Sequence, residues 1–292
     1  MADLGYFTGG ITFTPPLGAG PSTDLEFGAV DANGTWWLLR SWTGMDGVAT
    51  AGQVVQRAGD HGAWAPPQWY GPRTITLLVQ ATAQSQALRD VARAYLQQAI
   101  PVGSDSSLAT LRWDEPVPVQ LQVRRSGPIV ETYSTLVDVV FSVPLVAPDP
   151  RKYSTVLHQL TATQASVAAG LAPPLTPPFT LPAGAPPMAV ACTNAGSFET
   201  RPVVSITGPL TNPAVVNQTT GQVVSFSGMT LAATDILAVD FAARQALLNG
   251  VYRPSDTTSS WWVMPPGTTT VQVTGTGATG SQMTVAWRDA WI

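Results

Sequence analysis

Charge is scarce in this chain. Of 292 residues only 11% are Asp, Glu, Lys or Arg, against roughly 25% in an average soluble domain, and Lys152 is the single lysine. A free monomer with so few charges associates readily. Interface cores share that depletion and are enriched in Trp, Tyr and Arg, and ten tryptophans are present here. The composition therefore points to a surface covered largely by partners. The net charge of -4 supplies no basic footprint for a duplex, so no specific nucleic acid binding is expected. Cys192 is the lone cysteine, which excludes an intrachain disulfide and a cysteine-based zinc site and reads as a small buried apolar residue. The start, Met1 to Gly10, lacks a basic segment followed by an apolar run and does not read as a signal peptide. No apolar stretch long enough to span a bilayer escapes the scattered Pro and Gly, so no membrane insertion is expected.

Residues for catalysis are equally sparse. A nucleophilic triad would have to use His61 or His158, the only histidines. His61 sits in the turn-like Gly59-Asp60-His61-Gly62 and His158 in a strand-like run, with no spacing suited to zinc. No P-loop and no dinucleotide glycine motif follows a strand, so no cofactor, metal or catalytic residue is assigned. Asp31-Ala32-Asn33-Gly34 opens like a calcium loop but has Trp42 where the twelfth-position Glu belongs, which favours a turn. Asp114-Glu115, Asp235 and Asp240 could offer glycosidase carboxylates only if two of them faced each other across a cleft. They read as turn and strand-end groups.

What the sequence has is a succession of short apolar runs punctuated by 26 Gly and 26 Pro, the pattern of sandwiches and barrels. Strands are expected at Arg73 to Val79, Ala109 to Trp113, Val117 to Arg125 and Ile129 to Pro144, with Ser126-Gly127 turning between the last two. One helix is expected where Leu88, Val91, Ala92, Tyr95, Leu96 and Ala99 form a stripe. Thr82 or Ser85 would cap it, Pro101 and Gly103 would stop it, and Arg89, Asp90 and Arg93 would face water. A further strand lies near Tyr153 to Leu160. Between about 160 and 190 the pairs Pro173-Pro174, Pro177-Pro178 and Pro186-Pro187 favour extended conformation and forbid a central strand. The expected organisation is residues 1-160 as an N-terminal domain, 161-190 as a Pro/Ala-rich linker and 191-292 as a C-terminal domain. In the last, strands at Val203 to Thr207, Ala214 to Asn217, Val223 to Phe226, Ile236 to Phe241, Gln245 to Leu248, Thr270 to Thr274 and Met283 to Trp287 make a two-sheet sandwich of jelly-roll or galectin type. Asn249-Gly250 is a type I′ turn signal.

Two sets of residues are candidates for contacts. The run through Thr135, Val137, Val139, Phe141 and Val143 alternates like a long strand that could pair with a neighbouring copy, which makes these five the expected oligomer interface. Trp261 and Trp262 are adjacent, so on a strand one ring would fill the core while the other faces a partner, solvent or a glycan.

Over both halves, the order of short motifs resembles the distal tail proteins of long-tailed, non-contractile bacteriophages. In the C-terminal half these are Asn194-Ala195-Gly196, Thr200-Arg201-Pro202, Ile206-Thr207-Gly208-Pro209, Asn212-Pro213, Asn217 to Gly221, Asp240, Asn249-Gly250, Ser260-Trp261-Trp262, Pro266-Gly267 and Val285 to Trp291. In the N-terminal half, Gly59 to Gly62, Tyr70 to Leu77, a helix and Ala147 to Arg151 agree. The resemblance implies a mainly β fold: an N-terminal β-sandwich or split-barrel-like ring domain with one α-helix, and a C-terminal galectin-like β-sandwich. It implies a structural, non-enzymatic virion protein at the distal end of a siphovirus tail, made in the host cytoplasm. Copies of the chain would form a ring, by resemblance a hexamer, between the tail tube protein and the tail-tip hub or tail-associated protein. The ring would line the channel for the tape measure protein and then the genome, and could carry receptor-binding or side-fibre proteins. The alternative is a carbohydrate-binding, lectin-like virion protein; a glycosidase using Asp114 or Asp240 is a third reading.

Overall fold

The computed structural model describes residues 11–15, 24–100, 108–114, 116–164, 188–277 and 280–292. They divide between Thr155 and Val156 into two compact units. Residues 165–187, most of the stretch read as a linker, lie outside the described residues, as do Pro101, Gly103 and Glu115.

The first unit contains β1 (Ile11–Thr14), β2 (Leu25–Phe27), β3 (Trp36–Thr43), β4 (Thr50–Ala51), β5 (Val55–Gln56), β6 (Ala63–Trp64), β7 (Trp69–Tyr70), β8 (Arg73–Thr82), α1 (Gln86–Ala99), β9 (Ala109–Asp114), β10 (Pro118–Arg125), β11 (Val130–Tyr133), β12 (Asp138–Ala147) and β13 (Lys152–Ser154). Its main sheet is antiparallel and runs β2-β1-β9-β10-β12-β8-β3, with β11 added to β12 and β13 to β10. The sheet curves into a half-barrel. Period-two patterning builds it: Ile75, Leu77, Val79 and Ala81 of β8 and Val139, Phe141, Val143, Leu145 and Ala147 of β12 are all buried, while the intervening residues turn outward. β8 and β12 pair without a break from Asp138 opposite Thr82 to Ala147 opposite Arg73.

Helix α1 closes one side of this core. Ser85 is its N-cap and accepts from the Leu88 amide at 3.3 Å. Ala92, Leu96 and Ala99 are buried, and Tyr95 brings its ring 6.2 Å from that of Trp37, which lies 6.4 Å from Phe141. Two helix expectations need correction. Val91 is exposed, one step off the buried stripe. Arg89, expected in water, is 9% exposed: its guanidinium lies 4.9 Å over the Tyr133 ring and donates to the Leu136 carbonyl at 2.9 Å. An arginine stem can cover apolar surface while its head group finds an acceptor, so charge alone placed it on the wrong face.

The second unit contains β14 (His158–Thr163), β15 (Met188–Asn194), β16 (Val203–Thr207), β17 (Leu210–Asn217), β18 (Val223–Ser225), β19 (Thr230–Leu231), β20 (Ile236–Asp240), β21 (Gln245–Leu248), β22 (Val251–Arg253), β23 (Gly267–Thr276), β24 (Gln282–Trp287) and β25 (Ala290–Trp291). One sheet runs β14-β24-β16-β20-β21-β22, the other β15-β23-β17-β18 with β19 on β17. Val204, Ile206, Val239 and Val285 of the first share one core with Cys192, Val215, Val224 and Val271 of the second, which is a β-sandwich. Asn249 and Gly250, at φ of 50° and 82°, make the turn between β21 and β22 that their sequence signals. The single strand expected near Tyr153 to Leu160 is two, β13 and β14, one in each unit.

Candidate assembly surfaces

The strand expected to offer itself to a neighbouring copy is instead folded back on itself. The run from Ile129 to Pro144 contains β11, a turn, and most of β12, and Val130 pairs with Ser142 and Tyr133 with Val139. Asp138 anchors the turn. Its carboxylate accepts from Thr82 Oγ1 at 2.6 Å and Thr135 Oγ1 at 2.8 Å, and these hydrogen bonds hold its pKa below the ordinary aspartate value. Strand β12 is hydrogen-bonded along both edges, by β8 on one side and by β11 and β10 on the other. Val139, Phe141 and Val143 are fully buried core, so these three are corrected from interface to core. Thr135 is exposed and Val137 half-buried, both in the turn. Alternation is identical for a strand that buries one face at home and one that offers it to a partner, so the pattern could not separate the two.

The tryptophan pair divides as adjacency requires, although it lies outside a regular strand. Trp262 is 2% exposed, with its ring 4.0 Å from that of Phe241, and is corrected from a contact residue to core. Trp261 is half-buried and meets Phe241 edge-on at 5.5 Å. Both rings contact one phenylalanine, and of the two only Trp261 keeps exposed surface.

Asp235 and Asp240 do not converge. Asp235 and Asp240 sit at opposite ends of β20, roughly 16 Å apart by strand rise, beyond the roughly 5 to 9.5 Å between glycosidase carboxylates. Asp235 accepts from Asn249 and from the Ala232 amide, and Asp240 caps the amides of Ala242 and Ala243. Asp31 serves its own turn, accepting from the amides of Asn33 and Thr35 and from Trp37 Nε1. His61 is exposed at a loop tip. His158 stacks on Trp287 at 5.4 Å and lies 3.1 Å from Asp289, whose other oxygen accepts from the Ala195 amide. That pair ties β14 to the C-terminal segment. Cys192 is fully buried and burial pushes its thiol up to about 12. Since the thiolate is the nucleophile, native protein at pH 8 should take up no thiol reagent and denatured protein one equivalent; stoichiometric labelling of the folded chain would contradict this burial.

The surface that the sequence reading did not single out is a β-ribbon between β3 and β8. Thr50 and Ala51 pair with Tyr70 and Trp69, and Val55 and Gln56 with Trp64 and Ala63. Its base is pinned. Arg73, fully buried, donates to the Met45 carbonyl at 2.5 Å and to the Pro150 carbonyl at 3.0 Å, and the Gly71 amide donates to the Ala49 carbonyl at 2.7 Å. At Gly44, φ is +83° and a β-carbon would lie 1.8 Å from the Thr74 carbonyl oxygen, so only glycine fits there. Above this base, every residue from 46 to 70 is exposed except Val48 and Ala63, which are half-buried. Val54, Val55, Trp64, Trp69 and Tyr70 are 46 to 68% exposed. A signal was available in the sequence: apolar residues stand on both sides of Gly59-Asp60-His61-Gly62, so that Val55 and Trp64 meet across a hairpin.

These features define a class: a mainly β protein of two units, with apolar surface on an outlying ribbon of the first. Residues 195–291 match the family model described as the siphovirus-type tail component, C-terminal domain. The fold is similar to the crystal structure of the Dit (gp 19.1) protein of phage SPP1, described as a paradigm of the hub adsorption apparatus in phages that infect Gram-positive bacteria, with a TM-score of 0.61 over 97% of this chain and 99% of that one at 12% identity. It is also similar to a chain of the phage P2 baseplate in its activated conformation, with a TM-score of 0.52 over 95% of this chain and 97% of that one at 10% identity. No curated protein sequence matches. The resemblance to siphovirus distal tail proteins carried by the motifs therefore rests on a family match in the C-terminal domain and a shared fold along nearly the whole chain.

Proposed function

We propose that this chain is a structural, non-enzymatic subunit of the tail tip of a long-tailed, non-contractile phage. Copies close into a ring, by the family's pattern a hexamer, that sits between the tail tube and the hub and leaves a central passage for the tape measure protein and the genome. Receptor-binding or side-fibre proteins attach to its outside. The observation that carries this reading is the fold shared with SPP1 Dit across 97% of this chain, joined by the tail-component match at residues 195–291. Physical chemistry supports it. A closed ring uses head-to-tail contacts between two different faces of one subunit, and obligate interfaces of about 2,000 Å² or more take a low-charge surface out of water. Scarce lysine and a net charge of -4 suit a passage that must let DNA through without holding it. At this pair the lectin reading would rest on Trp261 alone, since Trp262 lies in the core.

Negative-stain imaging of the purified chain tests this. Rings of uniform diameter with a central hole are expected. Single, hole-free particles at every concentration, together with no labelling of phage tail tips by antibodies against the chain, would sink it.

A further inference from the structure

We propose that the ribbon of residues 46–70 is an arm with which one copy of this chain grips the β11–β12 hairpin of the next. This rests on the ring reading for the identity of the occupant, and names the surfaces that meet.

The ribbon is ill suited to stand in water. An isolated two-stranded hairpin is marginal at best, and this one has only two paired positions in each of its short ladders. Yet its base is locked by Arg73, Gly71 and Gly44, so the fold holds the ribbon at a defined place on the unit. Its charge is almost internally cancelled. Between 46 and 70 the charged residues are Asp46, Arg57 and Asp60. Asp46 lies 3.9 Å from Lys152, and Arg57 lies 3.8 Å from Asp60 and 4.5 Å over the Trp64 ring. No cluster of cations is left for a nucleic acid or an anionic surface, which leaves an apolar protein surface as the fitting partner. The size agrees. A standard interface uses about 20–30 residues a side, and 23 of the 25 residues from 46 to 70 are exposed. Ten residues separate Ala49 from the Gly59 tip, which at strand rise allows a reach of up to ~30 Å, about the width of a small domain.

The acceptor is on the same unit. Val130 and Tyr133 of β11 and Leu136 in the turn are 56, 49 and 73% exposed. Arg89 draws the last two together, lying over Tyr133 and donating to the Leu136 carbonyl. Among the described residues β11 pairs only with β12, so its outer edge also offers backbone groups. Two different apolar surfaces on one subunit are what a head-to-tail contact needs, whereas a two-fold dimer would match one surface with itself.

The test uses the full chain. Trp64→Ser with Trp69→Ser, and separately Leu136→Asp, should each raise the concentration for half-assembly by roughly 100-fold, as expected for loss of interface anchors, while the melting temperature of the dissociated chain stays at the wild-type value because these side chains are exposed. Because Cys192 is buried, Trp64→Cys and Leu136→Cys each present one accessible thiol. When the two variants are mixed and oxidised they should cross-link to each other, well above a mixture of Trp64→Cys with the exposed Thr220→Cys. Wild-type-like assembly of the serine and aspartate variants, or cross-linking of Trp64→Cys mainly to itself, would overturn the arm while leaving the ring intact. Failure of the wild type to assemble at all would remove the ring reading and the arm with it.

Discussion

Gly196→Ala should lower the stability of the C-terminal domain by about 3 kcal/mol, the combined scale of overpacking and of stranding a buried polar group. A β-carbon at Gly196 would lie 1.9 Å from the Ala290 carbonyl oxygen and 2.6 Å from its nitrogen. Neither neighbour can yield cheaply. Ala290 is bridged to Phe198, whose amide donates to the Ala290 carbonyl at 2.9 Å. Beneath them, Asn194 is fully engaged: Oδ1 accepts from the amides of Gly196 and Ala290, and Nδ2 donates to the carbonyls of Phe198 and Met264. Trp287 Nε1 donates to the Thr193 carbonyl at 3.0 Å and Thr200 Oγ1 to the Arg288 carbonyl at 2.7 Å. Displacing residue 290 therefore breaks several buried bonds at once. Gly221→Ala is the matched control. Its β-carbon would meet open space at φ +75°, so only conformational strain of about 1 kcal/mol applies. Denaturant titration of both variants, with hydrogen exchange at residues 285–291, reads the difference. Equal stability of the two would mean that the close approach at Gly196 can relax freely.

The same network explains why the C-terminal half was so legible in sequence. Asn194-Ala195-Gly196 and the segment from Val285 to Trp291 are recognisable because they are the two sides of one lock, in which Asn194, Gly196, Trp287 and Asp289 are each held by a side-chain hydrogen bond or a close approach. Strand positions followed from alternation: Val203–Thr207 and Gln245–Leu248 lie where period two places them, and Asn249-Gly250 turns because both residues adopt positive φ. Ser85 caps the helix for the reason its side chain suggests. The misreadings came where two structures share one pattern. A long alternating run and a hairpin of the same composition look alike, and Ser134 to Val137 carries no Gly or Pro to mark the fold. Charge alone places Arg89 in water, since Tyr133 and the Leu136 carbonyl, the partners that draw it inward, are distant in sequence. Alternation does not mark the ribbon, because short Gly/Pro-rich runs carry little periodicity, although its Trp residues are conspicuous. An apolar residue says that it must be covered, but not whether its own chain or another covers it.

Trp262 turns that last ambiguity into a measurement. Trp262→Ala should cost about 3–5 kcal/mol, as for a large buried aromatic, because the ring fills the sandwich core against Phe241 at 4.0 Å. Trp261→Ala, at a half-buried site touching the same phenylalanine edge-on, should cost about 1–1.5 kcal/mol, the scale of one aromatic contact. Trp262→Phe adds a sharper test. The Trp262 indole N–H is buried with no hydrogen-bond acceptor among the described residues, and a stranded donor costs about 1–3 kcal/mol. Phenylalanine removes that donor while leaving a smaller void than alanine, so the two changes oppose each other and stability should stay within about 1.5 kcal/mol of wild type. The predicted order is thus Trp262→Ala far below Trp261→Ala, with Trp262→Phe near wild type. A sugar-binding platform would give the reverse: wild-type unfolding midpoints for both alanine variants and loss of retention on a glycan column. Measuring both for the same three proteins decides whether this aromatic pair serves the core of a structural domain or a ligand.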